Sequence, residues 1–421
     1  MNSFESVPLV PADVMFELTV RFNADTHSEK VSLGAGAYRD SNGKPWILPS
    51  IQSATDLLAA DPSTNHEYGP IEGLASFTTS AARLVVGSTL VDENRVASVQ
   101  TISGTGACHL AALFLSRFYA FPDGDTKEVW IPNPTWANHA AILENVGITA
   151  REYPYYDAEK RGFDFEGFAA TVEGAKDQSV FLLHACAHNP TGYDPTPEQW
   201  EVLAEIFERK SHFAFWDSAY QGFNSGDLEK DRFAIDLFSS RAIPGLVAQS
   251  FSKNAGLYGE RVGCCHVICK DSRTRQAVHS QLKALTRCEV STPPVYGAKL
   301  VNLVLNTPEL YEQWKKDIVV MATRIKEMRA ALFDAVVKAG TPGSWEHIVE
   351  QQGMFSYTGL SAPQCEALLE NYHIYLPDNG RISIAGLTWH NVEYVAECFS
   401  KVVKDFPPPS PQPSTPTATS N

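Results

Sequence analysis

Apolar runs of strand length recur through the middle of the chain, at Glu128-Val129-Trp130-Ile131, Val180-Phe181-Leu182-Leu183, His212-Phe213-Ala214-Phe215-Trp216 and Leu246-Val247-Ala248. Such short runs, bounded by turn residues, read as buried strands. From about residue 50 they alternate with helix-period runs, and the last three of those named begin roughly 30 residues apart, the length of one βα unit. Glu93 to Ile102 is a further strand that ends in Ser103-Gly104-Thr105-Gly106, a glycine-rich turn opening a helical run from Ala107 to Tyr119. The apolar run Val262 to Ile268 follows Leu246-Val247-Ala248 too closely for a helical crossover, so its strand is expected to be antiparallel. Two amphipathic stretches, Val295 to Leu305 and Leu310 to Lys338, predict helices, the second long enough to join a large domain to a smaller one. Gly353 to Tyr357 and Arg381 to Leu387 read as strands of that smaller domain.

The chain ends follow other patterns. Residues 1–11 read as an extended arm, with Pro8 and Pro11, and Ala12 to Phe22 as a short helix. Val31 to Arg39 is a strand-like lead into a loop where Gly34 and Gly36 permit close backbone approach. Pro407 to Ser414 is Pro/Ser-rich and predicts a disordered tail. The expected division is an arm at 1–11, a small domain from 12–48 with 321–405, a large domain at 49–320, and a tail at 406–421.

Polar residues cluster after the predicted strands. Pro134-Thr135-Trp136-Ala137-Asn138-His139 follows the first run, His184 to Gly192 the second, and Asp217-Ser218-Ala219-Tyr220 the third. Ser250-Phe251-Ser252-Lys253 follows the fourth. Parallel α/β sheets bind ligands outside the carboxyl ends of their strands. Trp136, Asn189, Asp217, Tyr220 and Lys253 are therefore expected to converge on one site.

The chemistry of that site turns on Lys253. Lysine ordinarily sits on a wet surface, whereas one desolvated between buried strands loses basicity and becomes a nucleophile toward carbonyls. Ser250, Ser252 and Arg261 beside it supply the hydroxyls and fixed cation that hold a phosphate. The helix opened by Ser103 to Gly106 offers free N–H groups to an anion. An aldehyde bearing a phosphate and bound to lysine is pyridoxal phosphate. A dinucleotide reading of the glycine turn is disfavoured, because His109 stands where its third glycine belongs.

Composition narrows the field. A chain of 421 residues with 44% hydrophobic content can bury a large core, and a net charge of −15 would repel nucleic acid and anionic membranes. None of the eight cysteines forms a C-x-x-C pair, which argues for a reducing compartment and against a zinc site. Without a basic region or apolar core at Met1 to Pro8, the expected location is the cytosol.

The ordered set His66-Glu67-Tyr68, Ser103 to Ala107, Pro134 to His139, His188-Asn189-Pro190-Thr191-Gly192, Asp217 to Phe223 and the Lys253 loop resembles the class I aminotransferases of pyridoxal phosphate (PLP) fold type I. Among these it is similar to the eukaryotic aspartate aminotransferases, over about residues 4 to 405. The resemblance implies an α/β fold, with a mostly parallel seven-stranded sheet in the PLP-binding large domain and a smaller α/β domain. It also implies a homodimer with shared sites, acting on dicarboxylic amino acids and 2-oxo acids.

Roles follow position by position from the same resemblance. Lys253 carries the cofactor as a Schiff base and shuttles the proton; Asp217 keeps the pyridine nitrogen protonated. Tyr220 and Asn189 bond the ring oxygen, Trp136 stacks on the ring, and His139 supports Asp217, as His184 does in part. Ser103, Gly104, Thr105, Ser250 and Arg261 hold the phosphate, with Tyr68 reaching it from the other subunit. Arg381, with Asn189 and Gly36 nearby, clamps the α-carboxylate, and Arg287 of the neighbouring subunit takes the distal one. Each charge-assisted bond is worth about 1.5–3 kcal/mol, so loss of either arginine is expected to cost roughly tenfold to a hundredfold or more. Taken singly, Asp217 also fits a helix N-cap, Trp136 a core aromatic, and Arg287 a solvated helix charge. The chain departs from the family pattern at Gly69, Ala255, Gly259 and Thr292, beside the named groups, which bears on rate and selectivity.

The expected activity is reversible amino-group transfer between L-aspartate with 2-oxoglutarate and oxaloacetate with L-glutamate. An aromatic-amino-acid aminotransferase keeps the same residues and is the alternative within the family. A non-catalytic binding protein on the same fold is the alternative outside it.

Overall fold

The apolar runs assemble into one sheet of seven strands. In chain order these are β1 (Val96–Ile102), β2 (Glu128–Asn133), β3 (Thr149–Pro154), β4 (Val180–His184), β5 (Phe213–Ser218), β6 (Gly245–Ser250) and β7 (Val262–Ile268). In this computed structural model, which describes residues 4–407, they lie in the spatial order β1-β7-β6-β5-β4-β2-β3. Only β7 runs against its neighbours, β6 and β1, as its short connection requires.

Every position of β4, β5 and β6 is buried. Alternate side chains feed two separate cores: Phe181, Leu183, Trp216 and Val247 face helices Pro197–Lys210 and Phe233–Ser240. Leu182, Phe215, Leu246 and Ala248 face helices Ser103–Phe118 and Ser272–Glu289. Helices on both faces explain why these strands show no polar alternation.

Several boundaries differ from expectation, each for a local reason. The Ser103-Gly104-Thr105-Gly106 segment is no loop but the first turn of helix Ser103–Phe118, entered through the positive φ of Ser103 (56°). The first helix spans Val14–Ala24, because Asp13 caps it by accepting from Met15 N–H and Phe16 N–H. Strand pairing after residue 30 covers only Val31–Ser32, beside Ile374–Tyr375. Arg381 to Leu387 splits into strand Arg381–Ser383, paired with Phe355–Tyr357, and a 3-10 turn at Ile384–Gly386. The tail expected to be disordered lies outside the described residues from Pro408 onward.

Helix Pro308–Lys338 has 31 residues and is about 46 Å long. Near its start, Trp314 donates its indole N–H to Asn254 O at 2.8 Å, one residue from Lys253. Further on, the buried Arg329 donates to Ile348 O, Gly353 O and Phe355 O at 2.9, 2.8 and 2.7 Å. Burial pulls this guanidinium down to about 9, and no carboxylate pairs with it among the described residues. Three carbonyls take its place, and they fix the strand that carries Phe355. No helix among the described residues is long and apolar enough to cross a membrane.

Candidate active site

A cavity of about 370 Å³ opens at the carboxyl ends of the sheet strands. Lining it are Gly36, Ser103, Gly104, Thr105, Trp136, Asn189, Asp217, Tyr220, Ser250, Ser252, Lys253, Arg261 and Arg381, thirteen of the fifteen residues expected from sequence to touch cofactor or substrate. The register explains the convergence: His184 pairs with Asp217, and Asp217 with Ala248, so β4, β5 and β6 end level with one another. The remaining two lie elsewhere. Tyr68 is 88% exposed; Arg287 is exposed near the end of helix Ser272–Glu289, where it bonds Ser291. Neither reaches the cavity of its own chain.

One end of the cavity is built for an anion. Ser103 Oγ lies 2.7 Å from Ser252 Oγ and 3.1 Å from Ser250 Oγ, and Arg261 Nη1 lies 3.5 Å from Ser252 Oγ. Ser103 and Arg261 both carry positive φ (56° and 54°), and Ser103 N–H donates to Arg261 O at 3.1 Å. Two non-glycine residues in the left-handed region cost about 1–2 kcal/mol each, and the close-packed turn holds them there. At Gly104 an added Cβ would stand 3.0 Å from Ser250 Cβ, so only glycine leaves the helix N-terminus open beside the hydroxyls.

The other end carries a fixed negative charge. Burial pushes the Asp217 carboxyl up, but the hydrogen bond from His139 and the charge of Lys253 outweigh it and hold the group ionised. His139 Nε2 lies 3.0 Å from Asp217 Oδ2. The tautomers behind this bond follow from one backbone donor. Asn189 N–H donates to His184 Nδ1 at 3.3 Å, which leaves the His184 proton on Nε2, 3.2 Å from Thr135 Oγ1. Thr135 then gives its own proton to His139 Nδ1 at 2.8 Å, and the His139 proton faces Asp217. Burial lowers the His184 pKa to about 3, which keeps the imidazole neutral in this chain of bonds. Asp217 is a strand residue, so the N-cap alternative does not hold.

Between the two ends lies Lys253, its Nζ 5.2 Å from the Tyr220 ring centroid. Burial pulls its ammonium pKa down and the Arg261 charge adds to this, against the opposing pull of Asp217. Burial pushes the Tyr220 phenol well up, so it stays a donor. Arg381 Cζ sits 4.3 Å from the centre of the Phe355 ring, and its Nη2 donates to Gly34 O at 2.8 Å. Gly36 leaves room here, since an added Cβ would approach Phe355 Cζ to 3.3 Å and the ring would have to shift slightly.

Hydroxyls, a helix N-terminus and Arg261 at one end, a buried carboxylate at the other, and a weakly basic amine between them fit a flat phosphorylated heteroaromatic aldehyde. The donor set is that of pyridoxal phosphate. The grouping of Cys108 with His139 and Asp217, within 4.8 Å, does not compete with this fit. Burial pushes the Cys108 thiol well up, and the His139 proton is already committed to Asp217.

Sequence reasoning left out several lining residues. Met15, Phe16 and Thr19 come from helix Val14–Ala24, Tyr258 from the Lys253 loop, and Phe355 from the strand fixed by Arg329. Among the departures from the family pattern, Gly69 is required because a Cβ would meet Val295 Cγ1 at 2.5 Å, whereas a Cβ at Gly259 would point into open space. Ala255 fills a fully packed core position. Nothing in the structure explains Thr292.

Comparisons with known proteins show the family to which the chain belongs. The family described as aminotransferase class I and II matches residues 28–399. A curated relative from Saccharomyces cerevisiae, "Aspartate aminotransferase, cytoplasmic", is 50% identical over 412 residues, covering 96% of this chain and 97% of the relative. A solved structure of aspartate aminotransferase from the cytoplasm of that yeast superposes with a TM-score of 0.92 at 48% identity, over 96% of this chain and 99% of that one. An aromatic-amino-acid aminotransferase from Burkholderia pseudomallei, solved covalently bound to pyridoxal phosphate, gives a TM-score of 0.91 at 36% identity. It covers 96% of this chain and 100% of its own. The likeness spans the chain rather than one motif, and with it the fold is that of PLP fold type I: the protein belongs to the class I and II aminotransferase family.

Proposed function

We propose that this protein is a PLP-dependent aspartate aminotransferase of the cytoplasm. It interconverts L-aspartate and 2-oxoglutarate with oxaloacetate and L-glutamate. The observation that carries this reading is the pairing, in one cavity, of a weakly basic Lys253 with a carboxylate receptor, Arg381, beside an anion seat and an ionised Asp217. When bound, pyridoxal phosphate supplies an electron sink that acidifies the α-carbon of the amino acid.

The chain's own residues do the rest. Lys253 Nζ would hold the cofactor at its carbonyl carbon, and its amine would carry the proton to and from the substrate α-carbon. Asp217, held ionised by His139, would keep the ring nitrogen of the cofactor protonated. Tyr220 and Asn189 would donate to its ring oxygen, Trp136 would stack on its ring, and Ser103, Gly104, Thr105, Ser250 and Arg261 would hold its phosphate. Arg381 takes the α-carboxylate with Gly36 beside it.

The chain acts as a homodimer, and Tyr68 and Arg287 complete the site of the partner subunit. Their exposure and distance from their own cavity support that assignment. We further propose the division into the small domain, residues 12–48 with 321–405, and the large domain, residues 49–320. The test is the rate with 2-oxoglutarate as acceptor and L-aspartate or L-phenylalanine as donor. Preference for aspartate that Arg287→Ala reverses supports the reading; a preference for phenylalanine in the unaltered protein overturns it in favour of the aromatic alternative.

A further inference from the structure

Arg381 is a half-buried cation with an incomplete set of partners. Its Nη2 carries two hydrogens, and both are engaged: one by Gly34 O at 2.8 Å, the other by Met15 Sδ at 3.3 Å. Nε is buried and has no partner. No carboxylate lies against this guanidinium among the described residues. Burial lowers its pKa accordingly.

A carboxylate grips a guanidinium through two adjacent nitrogens. Both available edges, Nε with Nη2 and Nη1 with Nη2, use Nη2. Bidentate binding on either edge therefore displaces one of the two present acceptors. Gly34 O belongs to backbone fixed between strand Val31–Ser32 and the Arg381 strand, where Ser383 N–H bonds Leu33 O at 2.6 Å. Met15 Sδ is the weaker acceptor. It sits on a half-exposed, unbranched side chain at the second position of helix Val14–Ala24, and it lines the cavity mouth.

We infer that Met15 is an affinity-setting placeholder: its thioether occupies the carboxylate seat on Arg381 in the free cavity and yields it to the substrate. The inference rests on the assignment of Arg381 as the carboxylate receptor. Every carboxylate ligand must displace the same sulfur, so Met15 weakens all substrates by a common factor, whatever their side chain. Because Met15 leaves before the chemistry begins, it acts on half-saturation and not on the turnover step.

Two substitutions of similar length have opposite effects. Met15→Leu removes the acceptor and keeps the bulk, and half-saturation for L-aspartate is expected to fall by about two- to fivefold, the weight of one weak neutral hydrogen bond. Met15→Gln offers a stronger carbonyl acceptor, and half-saturation is expected to rise by about fivefold or more. The measurement is the bleaching of the visible band of the holoenzyme titrated with L-aspartate, L-glutamate and L-phenylalanine, alongside steady-state kinetics. Equal factors for the three amino acids, with the maximal rate not following, support the placeholder. Half-saturation unchanged or raised in Met15→Leu, or factors that track side-chain size, overturns it. An unaltered holoenzyme that ignores all three amino acids instead overturns the aminotransferase reading beneath it. As a further check, Met15→Leu is expected to lose its effect when Arg381→Lys is also present, because lysine has no fork; an undiminished effect contradicts the inference.

Discussion

Lys253 and Asp217 each favour the charged form of the other across the cavity, while burial opposes both charges. The lysine is desolvated and made less basic, while Asp217 stays ionised through His139. Removing the amine by Lys253→Ala deletes the proton carrier, and turnover is expected to fall by roughly 10²–10⁴-fold in a stopped-flow half-reaction with aspartate. Asp217→Asn keeps the shape but loses a charge-assisted bond, and turnover is expected to fall about ten- to hundredfold. Its fluorescence and absorbance should still report bound cofactor, because the anion seat lies at the other end. These residues were legible in the sequence because each follows an apolar run, and strand ends of a parallel sheet must meet. Met15 and Phe355 were not, since their place in the cavity depends on how elements outside the sheet pack. Tyr68 and Arg287 were legible only through resemblance; within one chain nothing directs them to a site.

The elements are tuned to the cavity as much as to the core. Helix Ser103–Phe118 begins four residues earlier than its apolar period suggests, because Ser103 adopts a left-handed backbone that period cannot report. That early start sets the helix N-terminus beside the hydroxyls of Ser250 and Ser252, with Ser103 Oγ in contact with both. Strand Phe355–Tyr357 has the opposite dependence: three residues hold position because Arg329 ties Gly353 O and Phe355 O to the long helix. Arg329→Leu leaves three buried carbonyls without their donor, and the unfolding free energy from urea titration is expected to drop by about 3 kcal/mol. Half-saturation for aspartate should rise as well, since Phe355 is the platform beneath Arg381. The antiparallel direction of β7 was readable from a short connection; the brevity of the strands around residues 31 and 381 was not, because pairing there depends on distant partners.

For the whole molecule, two predictions concern properties that no single site sets. Burial lowers His184 and His266 to about 3, against an ordinary value near 6.5. The folded state therefore binds fewer protons than the unfolded chain between these values, and stability present above pH 6.5 is lost as pH falls toward 3. At pH 5.5 the two histidines together should cost on the order of 3 kcal/mol relative to neutral pH. A urea midpoint that does not fall between pH 7.5 and 5.5 would contradict this. If Arg287 serves the partner's cavity, mixing Lys253→Ala and Arg287→Ala subunits should restore activity that neither has alone. Random pairing makes half the dimers hybrid with one intact site each, so about a quarter of the unaltered activity is expected. No recovery after subunit exchange would place Arg287 outside the shared site.

One cavity is assigned both halves of an amino-group exchange between dicarboxylates. The most direct measurement is the absorbance spectrum of the purified protein with pyridoxal phosphate, before and after L-aspartate and then after 2-oxoglutarate. The account predicts a visible band that bleaches with aspartate and returns with 2-oxoglutarate. A band that ignores aspartate, or no band even after the cofactor is supplied, would contradict it.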